Sequence, residues 1–422
     1  MRLAREGRAE EAAAAFDEVL RAEPDHLSAL SFLARRAWAA GNMDEGISLL
    51  ERALRAHPEQ PALHVNLGLM HAGRRDIPAA VACFDEALKH DPDHFMAMLH
   101  KAALLDQAGR PLEAAVPYLQ ALTKIAGPPK IEVRPELVQL LQRARTVVQK
   151  TREHLLVQKL GPLRKRHSPQ ELERLGRCID IYLGITRPDY PHPKQRPATM
   201  FFPGLPPRPF FEREEFPWIG QIEAATPRIR EELRTVMESP AEFKPYVDKA
   251  PGTADADYWK AVNRSSSWST YRLFRIGERV EEHCLACPET GAALESIPLM
   301  RAPLHAPEAM FSVLEPHTRI PAHHGSVNGR LIVHLPLIVP ENCGGLRVGD
   351  ETRSWREGEC LIFDDSFAHE AWNDSDETRV VLIFDIWNPL LTEVEKEGFA
   401  ATLEAMGRFD YEALGEAALK DG

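Results

Sequence analysis

The chain lacks the features that mark membrane-spanning, secreted and nucleic-acid-binding proteins. No segment approaches the roughly 18 consecutive apolar residues that a transmembrane helix needs. The charged start, Met1 to Gly7, is not followed by the apolar stretch of a signal peptide. Acidic residues outnumber basic ones, 63 to 51, and the net charge of −12 opposes nonspecific binding to nucleic acid. We therefore expect a cytoplasmic protein with no membrane span and no nucleic-acid partner.

Cysteine is also scarce, and its spacing predicts neither a disulfide framework nor a zinc site. The 422 residues include six cysteines, which suits free thiols in a reducing compartment. Cys284 and Cys287 form a single CxxC, whereas a structural zinc site usually needs a second ligand pair at matching spacing. The surrounding sequence is not the βαβ pattern of a thioredoxin-like redox pair either. We expect these two residues to be buried or idle thiols.

The sequence does contain an internal repeat, with a period of 34 residues over about the first 126. Four sets of residues recur at this step: Pro24, Pro58 and Pro92; Phe16, Leu50, Phe84 and Tyr118; Ala12, Gly46, Ala80 and Ala114; and Ala34, Gly68 and Ala102. Small residues recur where two helices must approach closely, and large residues fill the space between them. The pattern resembles the tetratricopeptide repeat, whose helical hairpins stack into a solenoid.

We expect residues 1–126 to form this solenoid, with three full units after a partial one that begins at its second helix. Because one hairpin cannot bury its apolar face alone, neighbouring units must stack. A solenoid of this kind offers a concave groove to a peptide or protein partner. The alternative is a scaffold that only packs against the rest of the chain or against a second copy.

Three further segments differ from the repeats in composition. Residues 127–186 are predicted to form connecting helices, because Pro135 to Lys159 has apolar residues at helical spacing. Residues 187–218, called the strap below, are rich in proline and aromatic residues, and we expect them to extend across the core of the domain that follows. Residues 391–422 are predicted to form an amphipathic helical tail.

Residues 219–390 begin with a helix and change, after Met310, to short strands separated by turns. Gly349-Asp350 lies between two strand-like runs, and Asn373 to Asp376 precedes another. This pattern predicts a double-stranded β-helix, the jelly-roll or cupin-like fold. The whole chain is thus predicted to be a multidomain α + β protein, an α-solenoid followed by this β domain. The mouth of such a barrel suits a metal and a small cosubstrate.

Two histidines and an arginine in the β region have the chemistry of a non-haem iron site. His323 and His369 lie 46 residues apart, and Arg379 follows ten residues later. Imidazole suits iron(II), and two imidazoles leave room for a chelating 2-oxo acid, dioxygen and water. The planar fork of arginine makes two parallel hydrogen bonds to a carboxylate. The usual facial triad has a carboxylate two residues after the first histidine, but here that position is Gly325.

The blocks around these residues extend the pattern over under half of the chain. They are Phe202 to Leu205, Phe311 to Pro316, Asn328 to Leu335, Leu361 to Phe367 and Asp385 to Pro389. In this combination, from about Phe201 to Pro389, the chain resembles the aspartyl/asparaginyl β-hydroxylase family, whose members bind iron with two histidines and no protein carboxylate.

The resemblance implies a role for each matching position. It implies that His323 and His369 are iron ligands and that Ser312 and Arg379 hold the distal carboxylate of 2-oxoglutarate. It implies that His334 lies beside the metal-chelating end of that cosubstrate. Arg330 would face a substrate or cosubstrate carboxylate. Ile332 departs from the pattern, because the animal peptide hydroxylases have a second arginine at this position.

Two alternatives remain for the metal ligands. His324 neighbours His323, but the two should point to opposite faces of a strand, and the separations to the other histidines favour His323. A carboxylate ligand is the second alternative, from Asp364, Asp365 or Asp385. Asp364-Asp365 is better placed to cap the turn that presents His369.

The pattern as a whole predicts an iron(II)- and 2-oxoglutarate-dependent dioxygenase that consumes O2 and hydroxylates an unactivated C–H bond. The expected substrate is an aspartyl or asparaginyl residue of a peptide or protein, delivered with help from the repeats. Hydroxylation of a lipid or a small amino acid is the alternative within the enzyme class, and Ile332 keeps it open. A different class is a non-catalytic adaptor with a cupin-like binding module.

Overall fold

The computed structural model describes residues 9–125, 135–249 and 254–415. The chain divides into two compact units, Met1–His154 with Glu412–Leu414, and Leu155–Tyr411 with Gly415–Gly422. Among the described residues, no helix is long and apolar enough to cross a bilayer.

The first unit is built from helices that repeat in step with the sequence. They are α1 (Ala9–Ala22), α2 (Leu27–Ala39), α3 (Met43–Ala56), α4 (Pro61–Gly73), α5 (Ile77–His90), α6 (Phe95–Gln107) and α7 (Pro111–Thr123). The odd-numbered helices begin 34 residues apart, and so do the even-numbered ones. Each helix packs on the next along the chain. The predicted solenoid of tetratricopeptide repeats is confirmed.

Close helix packing explains the small residues of the repeat. Phe16, Leu50, Phe84 and Tyr118, the recurring large residues, are all buried. At Gly68 a Cβ atom would lie 2.8 Å from the ring of Phe84, which is closer than real Cβ contacts come. The repeat therefore records which positions meet between neighbouring helices.

Two helices follow the repeats, and the strap follows them. The helices are α8 (Pro135–Arg166), which the boundary between the two units divides, and α9 (Glu173–Tyr182). The strap is mostly irregular, apart from β1 (Phe210–Phe211) and a 3-10 turn at Arg213–Glu215. It buries Met200, Phe201, Phe202, Phe210, Phe211 and Phe216. These apolar contacts hold an otherwise irregular segment against the rest of the second unit.

The β domain combines short helices with two antiparallel sheets. The helices are α10 (Ile219–Ala224), α11 (Thr226–Met237), α12 (Ala254–Tyr258), α13 (Glu281–Ala286) and α14 (Pro288–Glu295), with a 3-10 turn at Pro240–Glu242. The strands after β1 are β2 (Lys244–Pro245), β3 (Trp268–Arg275), β4 (Glu278–Arg279), β5 (Ala309–Leu314), β6 (Thr318–His323), β7 (Arg330–Ile338), β8 (Gly344–Val348), β9 (Glu351–Arg353), β10 (Leu361–Phe363), β11 (His369–Asn373) and β12 (Arg379–Trp387).

The two sheets face each other across a shared core. In the described residues, the large sheet has the order β1-β10-β7-β12-β5-β3-β2, with β4 on β3, and the small sheet has the order β6-β11-β8-β9. Trp268, Leu314 and Val381 of the large sheet pack in one cluster with Ile320, Leu346 and Ala371 of the small sheet. This double-sheeted arrangement confirms the predicted fold class.

A final helix, α15 (Glu393–Leu414), follows the last strand. Thr392 and Glu395 form a capping box at its start, each side chain accepting a hydrogen bond from the other residue's backbone N–H. Phe399, Leu403 and Met406 of this helix pack with Leu156, Leu160 and Leu163 of α8.

Candidate metal and cosubstrate site

The two candidate metal ligands meet where the small sheet borders the cavity. His323 is the last residue of β6, and His369 is the first of β11. Their Cα atoms pair directly across the two antiparallel strands, and the centroids of their rings lie 4.0 Å apart. Two residues 46 positions apart thus become neighbours because their strands are adjacent.

The hydrogen bonds of these two histidines leave the same ring nitrogen available in each. Nδ1 of His323 lies 2.9 Å from the carbonyl oxygen of Pro321, and Nδ1 of His369 lies 2.9 Å from that of Phe367. A carbonyl only accepts, so Nδ1 carries the proton and Nε2 keeps its lone pair. Burial lowers the pKa of His323 to about 3 and that of His369 to about 4. Both rings are therefore neutral near pH 7, as metal ligands must be.

Gly325 leaves room for a carboxylate from another loop. A Cβ atom at this position would lie 2.0 Å from Oδ2 of Asp365, so no larger side chain fits there without displacing that carboxylate. Asp365 in turn accepts a 2.7 Å hydrogen bond from Arg330. The missing triad carboxylate is thus explained by the local packing.

The other two candidate carboxylates are also engaged by protein groups. Asp364 accepts hydrogen bonds from the Gln195 side chain and the Ser366 backbone, both at 2.9 Å. Asp385 accepts from the backbone N–H of Glu308 and lies 3.6 Å from Arg330. Across the described ranges, no three His, Cys, Asp or Glu side chains cluster as metal ligands. The number of protein ligands stays a prediction.

Arg379 is a buried cation without an anionic partner. Its exposed fraction is 1%, and no carboxylate pairs with it among residues 9–125, 135–249 and 254–415. Its guanidinium lies 4.6 Å from the ring centroid of Trp355, and Nη1 donates a 3.3 Å hydrogen bond to the Ser312 carbonyl. Nε has no partner in the same described residues. Burial lowers the pKa of Arg379 to about 10, so it stays charged at neutral pH.

A buried guanidinium without a counter-ion is costly, and the ligand that would relieve the cost is an anion. The planar geometry of the group favours a carboxylate or phosphate bound through two hydrogen bonds. Arg379 is therefore suited to the distal carboxylate of a dicarboxylic cosubstrate.

His334 carries its proton on the opposite ring nitrogen from His323 and His369. Its Nδ1 lies 3.1 Å from Nε1 of Trp355. The indole N–H can only donate, so Nδ1 of His334 accepts and its proton sits on Nε2. Burial, followed by the charge of Arg379, lowers its pKa well below the usual value. His334 is thus a neutral hydrogen-bond donor through Nε2 and suits a carboxylate better than a metal.

The predicted site residues all line one cavity of about 580 Å³, namely Ser312, His323, Arg330, His334, His369 and Arg379. Arg330 differs from Arg379 in that it already has an anionic partner, Asp365. Burial lowers the pKa of Arg330, but the charges of Asp365 and Asp385 more than offset this and raise it overall. Its predicted contact with a substrate or cosubstrate carboxylate stays a prediction.

Several residues that shape the site were not predicted. Trp355 contacts both Arg379 and His334, and Trp268 donates through Nε1 to the Ser312 hydroxyl at 3.2 Å. Tyr246 stacks on Trp268 with ring centroids 4.1 Å apart. Gln195, in the strap, is fully buried beside Asp364. No spacing in the sequence marks these residues, since each reaches the site from a different part of the chain.

Part of the cavity wall is apolar. Met310, Ile332 and Ile383 line it, and the strand pairing sets Ile383 beside both Met310 and His334. Arg272 and Glu308 form a 2.5 Å ion pair elsewhere along the wall. Ile332 therefore adds apolar surface to this part of the cavity wall.

Cys284 and Cys287 lie outside this cavity and are buried free thiols, as predicted. Burial raises the pKa of Cys287 to about 12 and raises that of Cys284 as well. Both therefore remain protonated and unreactive at neutral pH.

Comparison with known proteins agrees with this architecture. Residues 223–389 match the family described as Aspartyl/Asparaginyl beta-hydroxylase, and residues 3–68 and 65–129 match tetratricopeptide repeats. Ornithine lipid ester-linked acyl 2-hydroxylase of Rhizobium tropici is 40% identical over 184 residues, which are 43% of this chain and 61% of that protein.

Two human proteins give further matches. Aspartyl/asparaginyl beta-hydroxylase is 26% identical over 364 residues, 86% of this chain and 43% of that protein. Aspartate beta-hydroxylase domain-containing protein 2 is 32% identical over 207 residues, 48% of this chain and 53% of that protein. The chain thus spans about half the length of these relatives. The protein from Rhizobium tropici and the first of these two human proteins are hydroxylases by name.

Proposed function

We propose that this chain, which has an aspartyl/asparaginyl β-hydroxylase family domain behind tetratricopeptide repeats, is an iron(II)- and 2-oxoglutarate-dependent dioxygenase. The observation that carries the proposal is Arg379, a buried cation without a counter-ion in the cavity that also holds His323 and His369. Two neutral imidazoles with free Nε2 lone pairs fit iron(II). The residues present thus fit both implied groups.

Each residue has a role that follows from its hydrogen bonds. His323 and His369 would hold the iron through Nε2, while the Pro321 and Phe367 carbonyls fix their rings. Arg379 would pair with the distal carboxylate of 2-oxoglutarate, and His334 would donate Nε2–H to the carboxylate at the other end. Bound iron and 2-oxoglutarate together supply the oxidation of C–H to C–OH, with O2 consumed and 2-oxoglutarate converted to succinate and CO2.

The first candidate substrate is an aspartyl or asparaginyl residue of a peptide or protein. The repeats support it, because stacked helical hairpins form extended concave surfaces that suit an elongated partner. A peptide held by the solenoid would reach the cavity at an effective concentration set by the intervening chain.

The second candidate substrate is the acyl chain of a lipid. The specific observation in its favour is the apolar wall formed by Met310, Ile332 and Ile383. In addition, Arg330, the cation nearest to Ile332 in the sequence, is already paired with Asp365 and is not free for an aspartyl carboxylate. The relative from Rhizobium tropici is named as a hydroxylase of such a chain. Of the two candidates, this apolar part of the cavity wall favours the acyl chain.

The test is mass spectrometry of singly oxygenated products. The full chain would be incubated with iron(II), 2-oxoglutarate and O2 and either peptides containing Asp and Asn or acylated amino-acid lipids, with succinate measured in parallel. Ile332→Arg should abolish acyl turnover, because it charges the apolar wall, and Ile332→Leu is the matched control that keeps it apolar. A chain that binds neither iron nor 2-oxoglutarate, and forms no succinate with either class, would show the adaptor function instead.

A further inference from the structure

The first part of the strap, Lys194 to Met200, contacts the loop that follows the first candidate metal ligand. The backbone N–H of Ala198 donates to the carbonyl of Gly325 at 2.9 Å. The N–H groups of Thr199 and Met200 both donate to the carbonyl of Ser326, at 2.9 and 3.0 Å. Gly325 and Ser326 come two and three residues after His323 and lie outside any strand.

The same segment contacts the loop that precedes the second candidate ligand. The N–H of Arg196 donates to the carbonyl of Ser366, and the N–H of Ala368 donates to the carbonyl of Lys194, each at 2.8 Å. Gln195 and Phe367 form an isolated antiparallel bridge between these bonds. Ala368 immediately precedes His369, so this pairing ends next to the ligand itself.

The Gln195 side chain reinforces the second contact. It is fully buried, and its Nε2 donates to Asp364 at 2.9 Å and to the Ser366 hydroxyl at 3.3 Å. Asp364 also accepts from the Ser366 backbone, which closes the turn before His369. A buried amide with these partners fixes the turn more tightly than main-chain bonds alone, because breaking them would leave buried polar groups unsatisfied.

Both ligand-bearing loops thus form backbone hydrogen bonds with one segment of seven residues. Loops outside regular sheets depend on such bonds for their order, since their backbone groups lack a strand partner. The segment lies before residues 223–389, the part of the chain that the hydroxylase family model matches. It sits between the repeats and the β domain in sequence and contributes no ligand of its own.

We infer that residues 194–200 form a clamp that positions His323 and His369 for metal binding, with Gln195 as its positioning side chain. The inference rests on the proposed function for the identity of the metal site, but the clamp itself is a property of the two loops. Groups that orient metal ligands typically change metal affinity by roughly 10- to 100-fold when they are removed. The clamp should therefore act on metal affinity and on the mobility of both loops.

The test uses the full chain with Co(II), which reports coordination through its visible spectrum and does not support turnover. Ala198→Pro removes the N–H that bonds Gly325, while the exposed side chain at this position contributes little else. Ala198→Ser is the matched variant that keeps the N–H. Gln195→Met removes the side-chain donor at similar volume and serves if the proline variant does not fold.

We expect Ala198→Pro and Gln195→Met to weaken Co(II) binding by roughly 10- to 100-fold and to alter the Co(II) spectrum. Ala198→Ser should match the parent in both affinity and spectrum. Without metal, hydrogen exchange should quicken at residues 323–327 and 364–369 but not in the repeats. Parent-like Co(II) affinity and loop exchange in both variants would overturn the clamp. If the parent itself binds no Co(II), the proposed function fails, and loop exchange alone decides whether the clamp exists.

Discussion

Replacing Arg379 by methionine should have opposite effects on the free protein and on cosubstrate binding. Methionine retains a flexible apolar stem of similar length and removes the charge. In the free protein that charge is buried, with Trp355 beneath it and no carboxylate partner in the described part of the chain. With 2-oxoglutarate bound, the same charge would be the principal anchor of the distal carboxylate.

The pKa of Arg379 gives the scale of the first effect. Burial lowers the pKa of Arg379 from 12.5 to about 10. A difference of one in pKa corresponds to about 1.4 kcal/mol. The folded protein thus bears on the order of 3 kcal/mol for keeping this side chain charged. Losing the stacking on Trp355 removes about 0.5–2 kcal/mol of favourable interaction. The free energy of unfolding without ligand should therefore rise by about 1–2 kcal/mol.

The second effect is larger and of opposite sign. Truncating one member of a buried charge pair costs about 2–5 kcal/mol, which is a loss of roughly 30- to several-thousand-fold in affinity. Isothermal titration of the Co(II)-loaded protein with 2-oxoglutarate measures it without turnover. Thermal melting of the metal-free protein measures the stability term.

Arg330→Met is the matched control, because Arg330 is equally buried but is paired with Asp365 and lies near Asp385. Its removal leaves carboxylates uncompensated at a cost of about 3–5 kcal/mol, a drop in melting temperature on the order of 10 °C. An Arg379→Met protein that melts as early as Arg330→Met, or that binds 2-oxoglutarate as tightly as the parent, would contradict the role assigned to Arg379.

Four further outcomes follow from the site. His323→Ala and His369→Ala should abolish Co(II) binding while His324→Ala retains it, as equilibrium dialysis can show; metal retained by either of the first two would refute the ligand assignment. Gly325→Asp should destabilise the protein rather than complete a facial triad, since the new side chain meets the carboxylate of Asp365; a melting temperature at or above that of the parent would contradict this. The metal-free protein should lose stability as pH falls below about 6.5 towards 3. Over this range His323 and His369 bind protons in the unfolded chain but not in the folded protein, where their pKa values are about 3 and 4. A urea midpoint that does not fall over this range would count against buried neutral rings. Removal of residues 1–126 should leave 2-oxoglutarate turnover to succinate intact, once circular dichroism shows a folded chain, but should reduce turnover of a long peptide; undiminished peptide turnover would assign the repeats to assembly.

The repeats could be predicted from the sequence because their packing is local and periodic. Helix starts recur every 34 residues, and Leu50 and Phe84 each pack with residues of the neighbouring helices. A glycine such as Gly68 records its own close contact with Phe84. Such contacts span short distances along the chain, so the pattern carries them.

The candidate site was predictable only in its reactive side chains. His323, His369 and Arg379 were identified from residue type, spacing and resemblance, because iron and a carboxylate restrict the side chains that can bind them. The sequence also showed the glycine at position 325. It could not show that the carboxylate of Asp365 fills the space beside that glycine, 40 residues further along the chain.

The environment of these side chains depends on the tertiary fold. Trp355 reaches Arg379 and His334 from the connection between β9 and β10, Arg330 is committed to Asp365, and Gln195 of the strap reaches the turn before His369. Each is one contact between distant segments, with no period or fixed spacing to reveal it. The repeat and the identity of the reactive side chains thus follow from the amino-acid sequence. Sheet pairing and strap packing set the charge and tautomer of those side chains and the order of the loops that bear them.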